Sequence, residues 1–262
     1  SKNARFKEGD IVTGMFGWRT HIISDGAGVR KIDPAVAPIS TAIGILGMPG
    51  MTAYVGLLDI GEPKAGDTLV VSAASGAVGA VVGQIGKLKG CKVVGVAGSQ
   101  EKCDYVVNEL GFDHCLSHLS DDLESELAKV CEDGVDVYFE NVGGKVFEAV
   151  LPLVNSFARI PVCGLISRYS HVGDFPGPNL LPKLTRSILT NRLKLQGFII
   201  TERWDRFPEF EKDMSSWIKS GEIVYKEDFV DGLENAPEAF MGLLKGKNFG
   251  KLIVRTSEDP TI

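Results

Sequence analysis

A glycine-containing turn is the segment of this sequence best suited to chemistry. Residues 67–72 form an apolar run typical of a strand, the segment 73–79 (AASGAVG) follows it, and apolar residues then recur at helical spacing to residue 89. Gly76 lets the backbone approach a pyrophosphate, Gly79 lets the helix pack closely on the strand, and the helix amino terminus offers unpaired N–H groups to the anion. The sequence therefore predicts a dinucleotide-binding turn. The alternative is a tight strand–helix turn that binds nothing.

The tip of the next predicted strand indicates which dinucleotide binds. An NAD site usually carries an acid there, about 20 residues past the glycines, which binds the ribose 2′-hydroxyl. The strand at residues 92–96 is instead followed by Gly98 and Ser99, with Lys102 one turn further on. A hydroxyl and an ammonium attract a 2′-phosphate that an acid would repel. We therefore predict NADPH rather than NADH; the alternative for Lys102 is an ordinary solvated helix lysine.

Metal-ligating residue types are too scattered to predict a metal site. Zinc catalysis needs three protein ligands and an open position. The four histidines, His21, His114, His118 and His171, show no paired ligand spacing, and the five cysteines include no C-x-x-C pair. The expected chemistry is therefore free of zinc.

The elements that must position these residues alternate between strands and helices. Apolar runs at residues 135–139, 158–163 and 194–200 predict three more strands, each separated from the next by a stretch long enough for a helix. Strands in this arrangement form a parallel sheet that is covered on both faces. We expect an α/β fold with a doubly wound parallel sheet.

The two ends of the chain follow a different pattern. A short strand is predicted at residues 21–24, and strand-like sequence returns at residues 224–230 and 250–254. We expect both ends to belong to one smaller β domain that the α/β unit interrupts.

Composition limits the partners and the compartment. The chain has 262 residues and a formal net charge of −6, so it has no basic excess for nucleic acid or an anionic membrane. It shows neither a leader-type segment nor an apolar run of about 18 residues. An odd number of cysteines without close pairing is typical of free thiols in a reducing compartment. We expect a cytoplasmic protein that acts on a small molecule, without nucleic acid or membrane.

Six segments, taken together, resemble one known family. They are MPGMTAY (48–54), SGAVG (75–79), GKLKGCKVVG (86–95), ENVGG (140–144), CGLIS (163–167) and KNFGK (247–251). In this order and spacing the sequence resembles the zinc-independent medium-chain dehydrogenases/reductases, in the branch of the prostaglandin and leukotriene reductases and the bacterial curcumin reductases.

The resemblance implies a Rossmann domain inserted in a GroES-like β domain, and a chain that lacks the first part of that β domain. Residues 1–45 would be the remnant of the GroES-like catalytic domain, 46–223 the NADP-binding Rossmann domain, and 224–262 the return to the catalytic domain. Members of the family form dimers, so the resemblance also implies a homodimer.

The resemblance further implies a cofactor site, with phosphate contacts at the turn and adenosine, ribose and nicotinamide contacts at the strand ends. The implied cofactor-binding residues are Thr52, Gly76, Ala77, Val78, Ser99, Lys102, His118, Asn141, Cys163, Gly164, Phe198, Ile199, Ile200 and Asn248. His118 stands where the relatives often carry a tyrosine, which is a departure from the family pattern.

The implied reaction is the reduction of a conjugated carbon–carbon double bond. Zinc relatives carry a cysteine ligand in the stretch that corresponds to residues 44–52, where this chain has no Cys, His, Asp or Glu. An α,β-unsaturated ketone or aldehyde needs no Lewis acid, because hydride addition at the β-carbon leaves an enolate that hydrogen-bond donors stabilise. Tyr169 matches a tyrosine that the prostaglandin reductases carry near the substrate carbonyl, and is the expected catalytic residue. The alternative for Tyr169 is a surface loop tyrosine.

Three alternatives stay open at this point. A quinone oxidoreductase would use the same cofactor and a different substrate pocket. A fragment that binds NADPH without turnover is the second, and an oligomer-forming structural role, compatible with enzymatic activity, is the third. Residues 170–182, rich in Gly and Pro, are expected to form a loop that covers the substrate or lies at an interface.

Overall fold

One parallel sheet dominates the structure, a computed structural model that describes residues 1–173 and 179–261. In that part of the chain, six strands pair in the order β5–β4–β3–β6–β7–β8, and each pair is parallel. They are β3 (Thr68–Ser72), β4 (Lys92–Ala97), β5 (His114–Ser117), β6 (Val135–Phe139), β7 (Val154–Val162) and β8 (Lys194–Gly197). This order, with the first strand of the sheet at its centre, is that of the Rossmann fold. The predicted α/β class with a doubly wound parallel sheet is confirmed.

Helices cover both faces of the sheet. They are α1 (Met48–Val55), α2 (Gly79–Leu88), α3 (Gln100–Asn108), α4 (Leu123–Val130), α5 (Gly144–Val150), α6 (Leu181–Asn191) and α7 (Phe207–Ser220). A further helix, α8 (Ala236–Leu243), packs near the carboxyl end of the chain. Successive side chains of a strand point to opposite faces, and Leu69 and Val71 of β3 pack in one core cluster while Val70 packs in another. The first cluster includes Phe210 of α7, and the second includes Leu127 of α4. This two-sided burial explains the continuous apolar runs in the sequence.

Two short strand pairs lie outside the main sheet. Near the amino end, β1 (Val12–Thr13) pairs antiparallel with β2 (Arg30–Lys31), and near the carboxyl end β9 (Glu227–Asp231) pairs parallel with β10 (Lys251–Arg255). The strands predicted at the tail are therefore present. The ends also touch, since Ser40 Oγ donates a hydrogen bond of 2.7 Å to Glu227 Oε2.

Two local expectations differ from the structure. Residues 21–24, all of them described, form no strand, and Ile23 is fully exposed; the partner of β1 is β2 instead. Conversely, β5 was not predicted, because it is only four residues long and begins with an exposed histidine. Both cases follow from tertiary pairing, which overrides local apolar pattern in short strands. Among the described residues, no helix is long and apolar enough to cross a membrane.

Candidate functional site

The strand order reverses between β3 and β6, and this creates a crevice at the carboxyl ends of the parallel strands. The chain runs from β3 outward to β4 and β5, then returns to β6 on the other side of β3. In open α/β sheets, ligands bind at such a switch point. The loops that follow β3, β4, β6 and β7 therefore line the candidate site.

The turn after β3 has the geometry that a pyrophosphate needs. A Cβ atom added at Gly79 would lie 2.9 Å from the carbonyl carbon of Ala73, so the residue that opens α2 has no room for a side chain. A Cβ added at Gly76 would meet, of all described atoms, only the Ala73 carbonyl oxygen, at 3.2 Å. The backbone at Gly76 is thus open on the side that a Cβ would fill. α2 has no side-chain cap at its amino terminus. The N–H groups of Ala80 and Val81 already donate to the carbonyl oxygens of Gly76 and Val78, so an anion would be bound by the N–H groups before them, at residues 77–79. With the open backbone at Gly76, this end of the site fits a dinucleotide phosphate.

The carboxyl ends of β4 and β5 hold Ser99 and Lys102, predicted to bind the 2′-phosphate, and His118, predicted as another adenosine contact. Ser99 caps α3, and its Oγ accepts a hydrogen bond of 3.3 Å from the amide of Lys102. The Lys102 ammonium donates to the carbonyl oxygen of Gly246, at 2.7 Å. A Cβ added at Gly98 would lie 3.5 Å from His118 Nε2, so the imidazole stands beside the tip of β4. The three predicted residues are therefore neighbours.

His118 is surrounded by positive charge. The residue is exposed to solvent overall, yet the protein around its ring partly desolvates the imidazole, which lowers the pKa of His118. The ammonium groups of Lys145 and Lys102 lower it further. Lys145, at the start of α5, also donates to the carbonyl oxygen of Ser120. Asp228 and Glu101 lie near enough to Lys102 to raise its pKa, although burial lowers it more. Since no acid stands directly after β4, the two ammonium groups favour a phosphate over a bare ribose hydroxyl.

Asn141 follows β6 and is held against the end of β3. Its backbone N–H donates to Ser72 Oγ at 2.8 Å, and its side-chain Nδ2 donates to the carbonyl oxygen of Ser72, also at 2.8 Å. The amide is thereby oriented at the switch point itself. The ribose contact expected of Asn141 from the sequence stays a prediction.

The loop after β7 joins the loop after β6. The N–H groups of Cys163 and Gly164 donate to the carbonyl oxygen of Glu140, and Ile166 N–H donates to that of Asn141. Burial raises the pKa of the Cys163 thiol to about 12, so this group is a neutral thiol near pH 7. A nucleophilic role for Cys163 is therefore disfavoured.

Tyr169 extends over the end of β7. Its hydroxyl oxygen accepts a hydrogen bond of 3.3 Å from Leu165 N–H and lies 3.0 Å from the place of a Cβ atom added at Gly164. The side chain is 64% exposed, which leaves it accessible to a small molecule in the crevice.

The residues predicted to contact the nicotinamide differ in their exposure to solvent. Ile200 is buried in the core beside α7, Ile199 is 62% exposed, and Phe198 is half-buried. The Phe198 ring packs against the end of α1, where a Cβ added at Gly56 would lie 2.6 Å from it. Thr52 is one helical turn before Gly56 on the same face of α1, and its hydroxyl donates to the carbonyl oxygen of Met48.

The carboxyl-terminal tail reaches the phosphate turn. Gly250 forms a parallel bridge with Gly76, and Asn248 lies two residues earlier, with its Nδ2 donating to the carbonyl oxygen of Gly250 at 2.9 Å. The tail therefore stands beside the turn that would hold the pyrophosphate.

Comparison with known proteins decides the family. A family described as "Zinc-binding dehydrogenase" matches residues 77–219. The NADPH-dependent curcumin reductase of Escherichia coli (strain K12) is 55% identical over 260 residues, which cover 99% of this chain and 75% of that protein. Prostaglandin reductase 1 of Rattus norvegicus is 47% identical, over 97% of this chain and 78% of that protein. This chain belongs to the medium-chain dehydrogenase/reductase family.

A solved member of the family has the same architecture. The crystal structure of CurA from Vibrio vulnificus in complex with NADPH is 54% identical, with a TM-score of 0.88 over 93% of this chain and 72% of that one. The family resemblance and the fold class predicted from the sequence are confirmed.

The family description names zinc, a metal that is bound by clustered Cys, His, Asp or Glu side chains. Within residues 1–173 and 179–261, no group of three or more His, Cys, Asp or Glu side chains is arranged to hold a metal ion. Part of the predicted substrate loop, residues 174–178, lies outside the described residues.

Sequence reasoning missed two residues of this medium-chain reductase site. Ser72 accepts the hydrogen bond from the Asn141 N–H group. Glu140, which follows the last residue of β6, carries a carboxyl group and is only 1% exposed. The available signals were the polar residues, Ser and Glu, at the ends of otherwise apolar strands and, for Glu140, its place in the segment ENVGG. Neither signal shows that the two side chains meet.

Proposed function

We propose that this protein reduces the carbon–carbon double bond of α,β-unsaturated ketones and aldehydes with NADPH. The observation that carries the proposal is the tip of β4, where Ser99, Lys102 and His118 lie together and Gly98 and Ser99 stand in place of an acid. The chain is also 55% identical to an NADPH-dependent curcumin reductase. Curcumin contains carbon–carbon double bonds conjugated to carbonyl groups, which is the substrate class that the family resemblance implies.

The residues of this chain divide into a binding set and a reacting group. Gly76, Ala77 and Val78, with the amino terminus of α2, would hold the pyrophosphate, and Asn141 would bind a ribose hydroxyl. Bound NADPH supplies a hydride for the β-carbon of the enone. We propose that Tyr169 donates a hydrogen bond to the carbonyl oxygen as negative charge develops there, and that its hydroxyl or solvent supplies the proton that completes the reduction. Its exposed position at the end of β7 supports this role.

The remaining contacts are proposed with the same cofactor. Thr52, Phe198 and Ile199 would border the nicotinamide, with Ile200 as the buried support behind them. Cys163 and Gly164 would lie along the cofactor, and Asn248 would contact it from the tail.

The experiment is NADPH oxidation, followed at 340 nm, with 3-nonen-2-one as the enone. NADH with the same enone and NADPH with a simple benzoquinone are run in parallel. We expect turnover of the enone with NADPH strongly preferred. Reduction of the quinone alone would instead assign a quinone oxidoreductase, and NADPH binding without turnover of either compound would refute an enzymatic role for this chain.

We further propose a cytoplasmic homodimer. The five cysteines are free thiols, which suits a reducing compartment. Among the described strands, β8 lies at the edge of the sheet, where Leu195 is partly exposed, and an open edge can pair with a second copy. Light scattering after size exclusion tests the dimer, and cell fractionation tests the compartment.

A further inference from the structure

Glu140 is a buried carboxyl group at the switch point that the proposed reaction does not use. It follows the last residue of β6, and its side chain is enclosed by the ends of two strands and by the loop that opens α5. A buried charge is costly unless hydrogen bonds compensate for the lost water. The contacts of its two oxygens therefore indicate what the residue does.

The Glu140 carboxyl group accepts hydrogen bonds from two backbone N–H groups and two hydroxyl groups. Oε1 accepts from the backbone N–H groups of Val142 at 2.6 Å and Gly143 at 2.9 Å, and from Ser72 Oγ at 3.1 Å. Oε2 accepts from the hydroxyl of Tyr138 at 3.0 Å. A carboxylate only accepts, whereas an amide in its place would direct N–H groups at donors. The surroundings thus match the ionised group, although burial raises the pKa of Glu140.

The backbone of the same residue joins a third strand end. The carbonyl oxygen of Glu140 accepts hydrogen bonds from Cys163 N–H at 2.9 Å and from Gly164 N–H at 3.1 Å. The N–H group of Glu140 donates to the carbonyl oxygen of Pro161 at 3.0 Å. Side chain and backbone together therefore connect the ends of β3, β6 and β7. Asn141 lies at the centre of these bonds, held on both sides by Ser72.

We propose that Glu140 is a positioning residue for the cofactor. Its carboxylate holds the N–H groups of Val142 and Gly143, and through this loop it maintains the orientation of the Asn141 amide toward the ribose. The inference rests on the proposed binding of NADPH. It assigns to Glu140 no contact with the cofactor and no proton transfer.

The test compares Glu140→Gln with a matched control, Asp136→Asn. Asp136 lies on the same strand, four residues earlier, and it also connects strands, since its Oδ2 accepts from Thr68 N–H and its Oδ1 from Asn155 Nδ2, both at 2.9 Å. It stands at the amino end of β6, away from the crevice. Both substitutions replace a partly or fully buried carboxylate acceptor by an amide of the same size.

We expect Glu140→Gln to weaken NADPH binding about tenfold, measured by fluorescence titration, because hydrogen bonds to a charged group are lost. Hydrogen exchange of the cofactor-free protein should be faster at the amides of Val142 and Gly143. Asp136→Asn should lower the melting temperature but leave the Kd for NADPH and the exchange at these two amides unchanged. Should Glu140→Gln fail to fold, Ser72→Ala is the milder variant, with a smaller loss of affinity in the same direction.

The outcomes separate the inference from the proposed function. A wild-type protein that bound no NADPH would refute the proposed function, and with it a cofactor role for Glu140. A wild-type protein that bound NADPH, with an unchanged Kd in Glu140→Gln, would refute the inference alone. Equal losses of affinity in Glu140→Gln and Asp136→Asn would also overturn it, because they would reflect general destabilisation.

Discussion

Two glycines of the phosphate turn are expected to respond to alanine in opposite ways, since one serves the fold and the other the cofactor. At Gly79 the added Cβ would lie 2.9 Å from the carbonyl carbon of Ala73 and 3.0 Å from the Cα atom of Ala74. The first distance is about 0.5 Å below an ordinary van der Waals contact of 3.4 Å, and backbone atoms on both sides must move. At Gly76 the single contact of 3.2 Å requires a shift of only a few tenths of an ångström.

These distances set the expected magnitudes. Gly79→Ala should cost about 2 kcal/mol of stability, as overpacking of a filled site does, which lowers the melting temperature by about 4–8 °C in a chain of this size. Gly76→Ala should change the stability by less than about 0.5 kcal/mol. Its methyl group, however, occupies the open side of the turn, so NADPH affinity should fall at least about tenfold, or about 1.4 kcal/mol.

Thermal unfolding with and without NADPH measures both effects, and isothermal titration calorimetry gives the affinity. The wild-type protein should gain stability from NADPH in proportion to its occupancy, whereas folded Gly76→Ala should gain much less at the same concentration. If Gly76→Ala bound NADPH as tightly as the wild type, the pyrophosphate would not lie at this turn, and our interpretation of the site would be wrong.

Three further predictions concern the adenosine end and the reacting group. Lys102→Ala should weaken NADPH binding about tenfold and leave NADH binding unchanged, since one charge-assisted contact to the 2′-phosphate is lost; equal losses for both dinucleotides in titrations would contradict this. Tyr169→Phe should lower kcat with 3-nonen-2-one about 100-fold at an unchanged Kd for NADPH, and a normal kcat would remove Tyr169 from the mechanism. Because the pKa of His118 is lowered in the folded protein, the unfolded chain binds more protons between that pKa and the ordinary value of about 6.5, so the stability of the cofactor-free protein should fall as pH drops below about 6.5. His118→Gln should reduce this fall in melting curves recorded between pH 7.5 and 5.5, and identical curves for variant and wild type would contradict the prediction.

The phosphate turn and the cofactor choice could be predicted from sequence because they depend on local chemistry. An apolar strand, two glycines at the correct spacing and an apolar helix face specify a strand–turn–helix unit without reference to the rest of the chain. The absence of an acid after β4 is likewise a property of adjacent residues. The residues of each feature lie close together in the sequence, so few other conformations compete with the one that forms.

Contacts between distant segments could not be predicted in this way. The Lys102 ammonium binds the carbonyl oxygen of Gly246, 144 residues away, so part of its hydrogen-bonding capacity is directed to the tail rather than to solvent. The strand expected at residues 21–24 does not form, and the pairing of β1 is with β2. A short extended segment becomes a strand only where a partner edge is available, and sequence pattern does not show where that edge is.

The sequence by itself thus determined the family, the parallel α/β core and the types of residue that we propose for an anionic cofactor. Only the tertiary structure decided how the strand ends are joined. Glu140 and Ser72 are 68 residues apart, yet their side chains meet at 3.1 Å and hold Asn141 between the ends of β3 and β6. The reason is the strand order: the two strands are neighbours because the chain crosses back over the sheet, and that crossing brings two polar residues of apolar strands into one buried network.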